Sequence, residues 1–408
     1  MRIGIFTDTY PPDINGVATA CELLARELKK RGHSVYVVTT NRPKARRISI
    51  EDDLIRIPGI EIKKIYSYRM TGPFSIRVYN LLKKLELDLV HVHTEYGIGM
   101  FGRLVARFRH VPLIYTYHSL YEDFTYLLSG GRKLADHTLK AAVSSLSRNL
   151  SSRPTEIIVP TEKTAQALKR YRVKRKVHVI PDGVDVSEFS PAKKTLEAGR
   201  EIRDSLGLED CKVLSVVGRI GQEKGLDFLL RCLRYYIDTY RDESIRLLIV
   251  GSGPYLKELK KKVSSLWLER YVIFIGAVPH VEVPSYYAAS DVLLSGSKSE
   301  TQGLTIIEAM ASRCLVLCRD DPSFYGAITE GETGFYFKDS ESFASNLRRI
   351  FELKDTDIER ILDQAERRVR ERYSPSRCTE EVEDVYRQAI DKYRERRDTR
   401  RKGHKERD

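Results

Sequence analysis

Two parallel α/β domains of similar size are predicted, and three observations predict them. The chain has 408 residues, more than the roughly 100–200 of one ordinary domain. Short apolar runs alternate with amphipathic stretches of helical period, the pattern of parallel strands crossed over by helices. The alternation breaks once, after Pro181-Asp182-Gly183, and then resumes. Doubly wound sheets of this kind bind ligands at the carboxyl ends of their strands. Two of them facing each other would enclose a cleft.

The elements follow in order. Arg2–Thr7 reads as the first strand and Pro11–Asn15 as a loop. Gly16–Lys30 reads as a helix, with Val17, Cys21, Leu24, Ala25 and Leu28 on one face and Gly32 ending it. Further strands are Ser34–Thr39, Leu89–His93, Leu113–Thr116, Glu156–Pro160 and His178–Ile180. These make a first domain over 1–185. Residues 186–210 are mixed, turn-rich and charged, and read as a linker. A second domain over 211–375 carries strands Val213–Val217, Leu247–Val250, Val272–Ile275, Val292–Leu294 and Leu315–Leu317. Residues 376–408 read as a C-terminal helix, free to return to the first domain, with a basic tail.

Composition excludes several classes. Hydrophobic residues are 41% and charged residues 31% of the chain, a globular balance. No window approaches the roughly 20 apolar residues of a membrane-spanning helix. The opening Met1–Phe6 meets Asp8 too soon for a secretory signal. Six cysteines show no CxxC and no paired framework, which suits buried thiols in a reducing compartment. The net charge of +13 is unevenly placed: residues 1–185 hold 31 Lys and Arg against 18 Asp and Glu, while the rest holds 39 of each. A basic half suggests an anionic partner, either a nucleic acid or a membrane surface, against a reading as simple solubility charge.

Four features fall at strand-to-helix junctions. In Pro11-Pro12-Asp13-Ile14-Asn15-Gly16-Val17, Gly16 opens a helix and lets backbone N–H groups approach a phosphate. A tight turn explains it equally well. In Gly218-Arg219-Ile220-Gly221-Gln222-Glu223-Lys224-Gly225, Arg219 and Lys224 suit a diphosphate, one as a fork and one as a point charge. In Glu300-Thr301-Gln302-Gly303-Leu304-Thr305-Ile306-Ile307-Glu308, two carboxylates can each take adjacent sugar hydroxyls. The helix start at Gly303 and Leu304 can take a phosphate between them. Two glutamates at this spacing are common, so their neighbours must decide. Last, His118 in Tyr115-Thr116-Tyr117-His118-Ser119 follows an apolar strand and would face the cleft, although a single histidine is more often a core or capping residue.

Together these residues resemble the retaining glycosyltransferases of family 4, which have the GT-B fold. Glu300 and Glu308 match that family's pair of glutamates separated by seven residues. Gly218-Arg219 with Glu223-Lys224-Gly225 match its diphosphate loop, and Asn15-Gly16-Val17 resembles its N-terminal glycine loop. The resemblance runs from residue 1 to about 390. A narrower one, to bacterial diacylglycerol glucosyltransferases, rests on Thr7–Pro12, Ile14–Val17, Thr116–Phe124, Pro160–Thr164 and Ser299–Thr305. Leu150–Thr155 departs from that pattern, and Asp182 stands where Thr or Asn is usual.

The resemblance implies roles. Arg219 and Lys224 would hold the UDP diphosphate, with Gly16 also near phosphate. Glu308 would bind the ribose, Glu300 the donor sugar, and Gly276–Pro279 the base. His118 would hold the sugar 6-hydroxyl and help place the reacting centre. The donor would be UDP-glucose and the acceptor diacylglycerol, with configuration retained. No permanently bound cofactor and no metal site is identified, and Mg2+ would be at most stimulatory.

Such an acceptor lies in a membrane, so the protein would sit peripherally on its cytoplasmic face. Lys63, Lys64, Tyr66, Tyr68, Arg69 and Phe74 form the basic and aromatic candidate for an anionic lipid surface. Val78–Leu85 is assigned to core, and Arg132–Arg153 is a second basic amphipathic candidate. Three readings compete: a different lipid or soluble acceptor such as monoglucosyldiacylglycerol, a nucleic-acid-binding module, and a non-catalytic transferase subunit. No nucleic-acid motif is present, so no nucleic-acid partner is expected.

Overall fold

Ile3, Ile5 and Phe6 leave the first apolar run without a polar face, as a strand covered on both sides requires. In the computed structural model, which describes residues 1–13, 15–41, 45–62, 68–118, 120 and 133–405, that run is central to a parallel sheet. The strands of the first unit are β1 (Arg2–Phe6), β2 (Ser34–Thr40), β3 (Ser49–Glu51), β4 (Leu54–Ile57), β5 (Ile60–Ile62), β6 (Tyr68–Met70), β7 (Leu89–Val92), β8 (Leu113–Thr116), β9 (Glu156–Val159) and β10 (Val177–Val179). The main sheet has the order β10-β9-β8-β7-β1-β2-β4-β3, parallel except for the β3–β4 hairpin, and β5 pairs with β6 separately. Side chains alternate across it with period two. Phe6, Val90, Val92, Tyr115, Ile157 and Val159 face one core, while Ile3, Ile5, Leu89, Ile114 and Ile158 face another.

The chain divides into Met1–Gly183 with Pro375–Asp408, and Val184–Ser374. The C-terminal helix, Pro375–Lys405, therefore belongs to the first unit. Val382, Val385, Tyr386 and Ala389 pack with Ile3, Ile5 and Leu28.

The second unit holds β11 (Lys212–Val217), β12 (Ile245–Val250), β13 (Val272–Gly276), β14 (Val292–Ser295), β15 (Leu315–Arg319) and β16 (Phe335–Phe337). Its sheet is wholly parallel, in the order β13-β12-β11-β14-β15-β16. This is the doubly wound 3-2-1-4-5-6 order, whose switch point lies between its first and fourth strands. In the first unit the equivalent point lies between β1 and β7.

Residues 186–210 are not the linker expected from their composition. They form the helices Val186–Phe189 and Lys193–Leu206 of the second unit. Arg203 donates to the Ala289 carbonyl and to Asp291, and Gly199 lies against Ala288, where a Cβ would crowd the backbone. The charge that read as linker is one face of a packed helix. Among the described residues, no helix is long and apolar enough to cross a membrane.

Candidate functional site

Two loops meet at the switch point of the second unit. After β11 comes Gly218–Gly225; after β14 comes Gly296–Gly303. They touch backbone to backbone, and a Cβ on Gly225 (φ +67°) would overlap the Gly296 carbonyl. Ser299 Oγ ties them further by donating to the Glu223 carbonyl at 3.1 Å.

The predicted donor residues sit on these loops. Lys224 Nζ donates to Glu300 Oε1 at 2.7 Å. Arg219 pairs with the buried Glu223, which sequence reasoning did not single out. Gly303 (φ +79°) precedes the helix Leu304–Ala311, whose first N–H groups have no helical partner. Only a glycine fits there, because a Cβ would run into the Phe324 ring.

Glu308 lies one turn into that helix and is buried. Burying a carboxylate is costly unless it is hydrogen-bonded. Tyr287 Oη donates to its Oε2 at 3.0 Å, and His280 Nε2 stands 3.7 Å from its Oε1. Burial, then the Glu308 charge, pushes the Tyr287 hydroxyl well above its usual value, so it remains a donor. Tyr287 and His280 were not foreseen, because they come from other elements than the glutamate motif. Gly276 ends β13 with φ +91°, so Gly276–Pro279 follows the strand next to β12.

In the first unit, Asn15 caps the helix Gly16–Lys30, its Oδ1 accepting from the Ala18 N–H. Gly16 is thus the first helical residue, as read from the sequence. The buried Asp8 accepts from Thr94 Oγ1 (2.5 Å) and the Ile98 N–H (2.9 Å), tying the loops after β1 and β7. Burial pushes its carboxyl up from the usual range, against those hydrogen bonds.

His118 follows β8 and is buried. Its Nε2 lies 3.0 Å from His93 Nδ1, and its Nδ1 lies 3.3 Å from Asp182 Oδ2. His93 and its neighbour His91 were missed. The signal was available as a histidine repeated at period two on an apolar strand.

Arg69 requires a correction. It was expected to face lipid, yet it is buried and its Nη2 donates to Asp13 Oδ2 at 2.6 Å. Its charge holds the loop before Gly16 and is not presented to a surface. Phe74 is 41% exposed, as a surface contact requires. Lys63, Lys64 and Tyr66 lie outside the described residues, as does the side chain of Tyr68.

A model described as Glycosyltransferase Family 4 matches residues 14–188, and one described as Glycosyl transferases group 1 matches 199–369. The chain is 34% identical over 343 residues to an alpha-monoglucosyldiacylglycerol synthase of Streptococcus pneumoniae, spanning 81% of this chain and 76% of that protein. It is 32% identical over 357 residues to the synthase of the same name from Acholeplasma laidlawii, spanning 86% and 88%. Among solved structures, Anabaena HepE in complex with UDP and glucose superposes with a TM-score of 0.72 at 17% identity, over 94% of this chain and 99% of that one. The sucrose-phosphate synthase of Thermosynechococcus elongatus gives 0.71 at 19%, over 95% and 98%. At these identities the two structures speak to the fold alone, which is GT-B with two Rossmann-like units.

Proposed function

Because the chain belongs to glycosyltransferase family 4, we propose that it transfers glucose from UDP-glucose to the 3-hydroxyl of 1,2-diacylglycerol, with retention, at the cytoplasmic face of a membrane. The glycosyltransferase activity is the family's. The observation that carries the finer reading is the grouping of Arg219, Lys224, Glu300 and the Gly303 helix start at one switch point. The acceptor follows the names of the two synthases that are 34% and 32% identical to it over the aligned residues.

In the reaction, the bond from the anomeric carbon to the β-phosphate oxygen breaks and negative charge grows on UDP. Arg219, Lys224 and the helix N-terminus after Gly303 stabilise that charge, which a water-poor site makes effective. No permanently bound cofactor is called for. The acceptor oxygen bonds to the same face of the anomeric carbon, and its proton passes to the departing phosphate. Lys224 holds Glu300 in place for the sugar hydroxyls, Glu308 takes the ribose, and His118 keeps the 6-hydroxyl role that the family pattern implies.

The test is transfer from UDP-glucose or UDP-galactose to diacylglycerol or its monoglucosyl form in mixed micelles, with the product's anomeric configuration read by NMR. The α-glucoside of diacylglycerol is expected as the main product. Preference for the monoglucosyl lipid or for UDP-galactose would overturn the substrate assignment. A Glu300→Gln enzyme with near-normal transfer would remove the role given to Glu300.

A further inference from the structure

Three histidine rings lie in a row on one side of the sheet of the first unit. His91 on β7 and His93 directly after it alternate with Val90 and Val92, so both rings stand on one side. Their ring centroids are 4.0 Å apart. His93 and His118 are 5.3 Å apart and within 21° of parallel.

His91 is fully engaged. Its Nδ1 meets Tyr386 Oη at 2.6 Å and its Nε2 meets Thr116 Oγ1 at 2.7 Å. His93 is engaged on one side only. Its Nδ1 meets His118 Nε2, while its Nε2 is buried with no hydrogen-bond partner. Burial, and then the neighbouring histidine charges, lowers both groups, His91 to about 3 and His93 well below the usual 6.5. Both are neutral imidazoles near pH 7, each with one N–H and one lone pair.

The tautomers then follow from pairing donors with acceptors. Asp182 is a carboxylate and only accepts. If neutral His118 carried its proton on Nε2, its Nδ1 lone pair would face the Asp182 oxygen at 3.3 Å, two acceptors together. His93 would also have to bury an unpaired N–H. With the proton on Nδ1, His118 donates to Asp182 and accepts from the His93 Nδ1–H, and every close contact is a donor with an acceptor.

We propose that His93 and Asp182 are positioning residues for His118, fixing its ring plane and its Nδ1–H tautomer. His93 acts from the buried side, where no water competes. Asp182 acts from a partly exposed position, through the longer contact. In that tautomer the single N–H of His118 is the one that Asp182 holds. The inference rests on the reading of His118 as a residue of the transfer site.

The test uses the full chain with ring-15N-labelled histidine and transfer from UDP-glucose to diacylglycerol. Wild type is expected to show His118 protonated at Nδ1. His93→Phe keeps a ring and removes the donor; kcat is expected to fall on the order of 100-fold, with KM for UDP-glucose within about two-fold. His118 should then show mixed tautomers. His93→Asn places an amide N–H near the old Nδ1 and is expected to recover most of the loss. Asp182→Ala, at a partly exposed side chain, carries the same test if the buried ring tolerates no substitution. Its His118 should lose the Nδ1–H pattern and its kcat should fall, while UDP affinity stays unchanged. An unchanged His118 spectrum and kcat in folded His93→Phe and Asp182→Ala enzymes would overturn the positioning role alone. Normal transfer by His118→Ala would overturn the reading beneath it.

Discussion

Glu300 and Glu308 stand eight residues apart and meet different surroundings. Glu300 lies in a loop and holds the Lys224 ammonium. Glu308 is buried in a helix, with the Tyr287 hydroxyl on one oxygen and His280 beside the other. A carboxylate accepts up to about four hydrogen bonds, so Glu308 keeps capacity for a pair of adjacent hydroxyls. Glu308→Gln keeps the size and removes the charge. Hydrogen bonds to charged groups contribute about 1.5–3 kcal/mol each, so UDP should bind about 10–100-fold more weakly. Titration calorimetry with UDP checks this. Unchanged affinity would place the ribose elsewhere, because Tyr287 can still donate to the glutamine and keep the helix in place.

The loops and strands that carry these residues depend on backbone fits as much as on side chains. Gly225→Ala would force a left-handed residue with a Cβ onto the Gly296 carbonyl. The loops after β11 and β14 would have to part, at a cost of roughly 1–3 kcal/mol. Thermal melting should show a lower midpoint, and UDP affinity should fall with it. A second test concerns the C-terminal helix. Glu156 on β9 is buried, which alone would raise its carboxyl, but Lys392 and His178 outweigh that and hold it below 4.5. A depressed carboxylate stabilises the fold above its unfolded value and loses that contribution as pH falls through the folded value. Wild type should therefore lose stability below about pH 4.5 more steeply than Glu156→Gln, measured by melts from pH 6 to pH 3.

These elements also mark what was legible in the sequence. The buried parallel strands were readable because each is a mainly apolar run, as in Val292–Leu294. The helix Gly16–Lys30 was readable from its apolar face and the glycine after it, while the Asn15 cap was seen only in the structure. The hairpins β3–β4 and β5–β6 were not, because three-residue strands such as Ser49–Glu51 carry too few residues for a period. The helix Lys193–Leu206 was hidden by its charge, since its packing relies on Gly199 and Arg203 and only Gly199 is buried in it. In the site, Arg219, Lys224, Glu300 and Glu308 were legible because they share two short motifs. His93 left a signal only in its two-residue spacing from His91, and Tyr287 and the Arg69–Asp13 pair left none, because each contact joins residues that are distant in sequence.

For the molecule as a whole, the charge asymmetry seen in the sequence grows once the units are defined. The unit made of Met1–Gly183 and Pro375–Asp408 holds 42 Lys and Arg against 26 Asp and Glu, or +16, while Val184–Ser374 holds 28 against 31, or −3. Arg69 no longer counts toward a lipid-facing surface. Exposed cations remain at Arg77, Lys83, Lys84 and Arg107. Near them the rings of Phe74, Tyr79 and Phe108 pack tilted or edge to face, with centroids 5.5–6.2 Å apart, and Ile76 is 70% exposed. A cation near an anionic leaflet contributes about 1 kcal/mol, within a screening length of about 10 Å at 0.1 M salt. Binding to anionic vesicles should therefore be strong at low salt, fall steeply as salt rises, and be nearly absent on neutral vesicles. Replacing Arg77, Lys83 and Lys84 together by Glu changes the local charge by six units and should weaken co-sedimentation at least ten-fold, leaving UDP affinity untouched because those residues lie in the other unit from Arg219 and Lys224. Ile76→Asp should weaken binding at all salt concentrations, since it removes apolar contact as well as adding charge. Equal binding of wild type to anionic and neutral vesicles, unaffected by salt, would show that the basic unit has some other partner than a membrane.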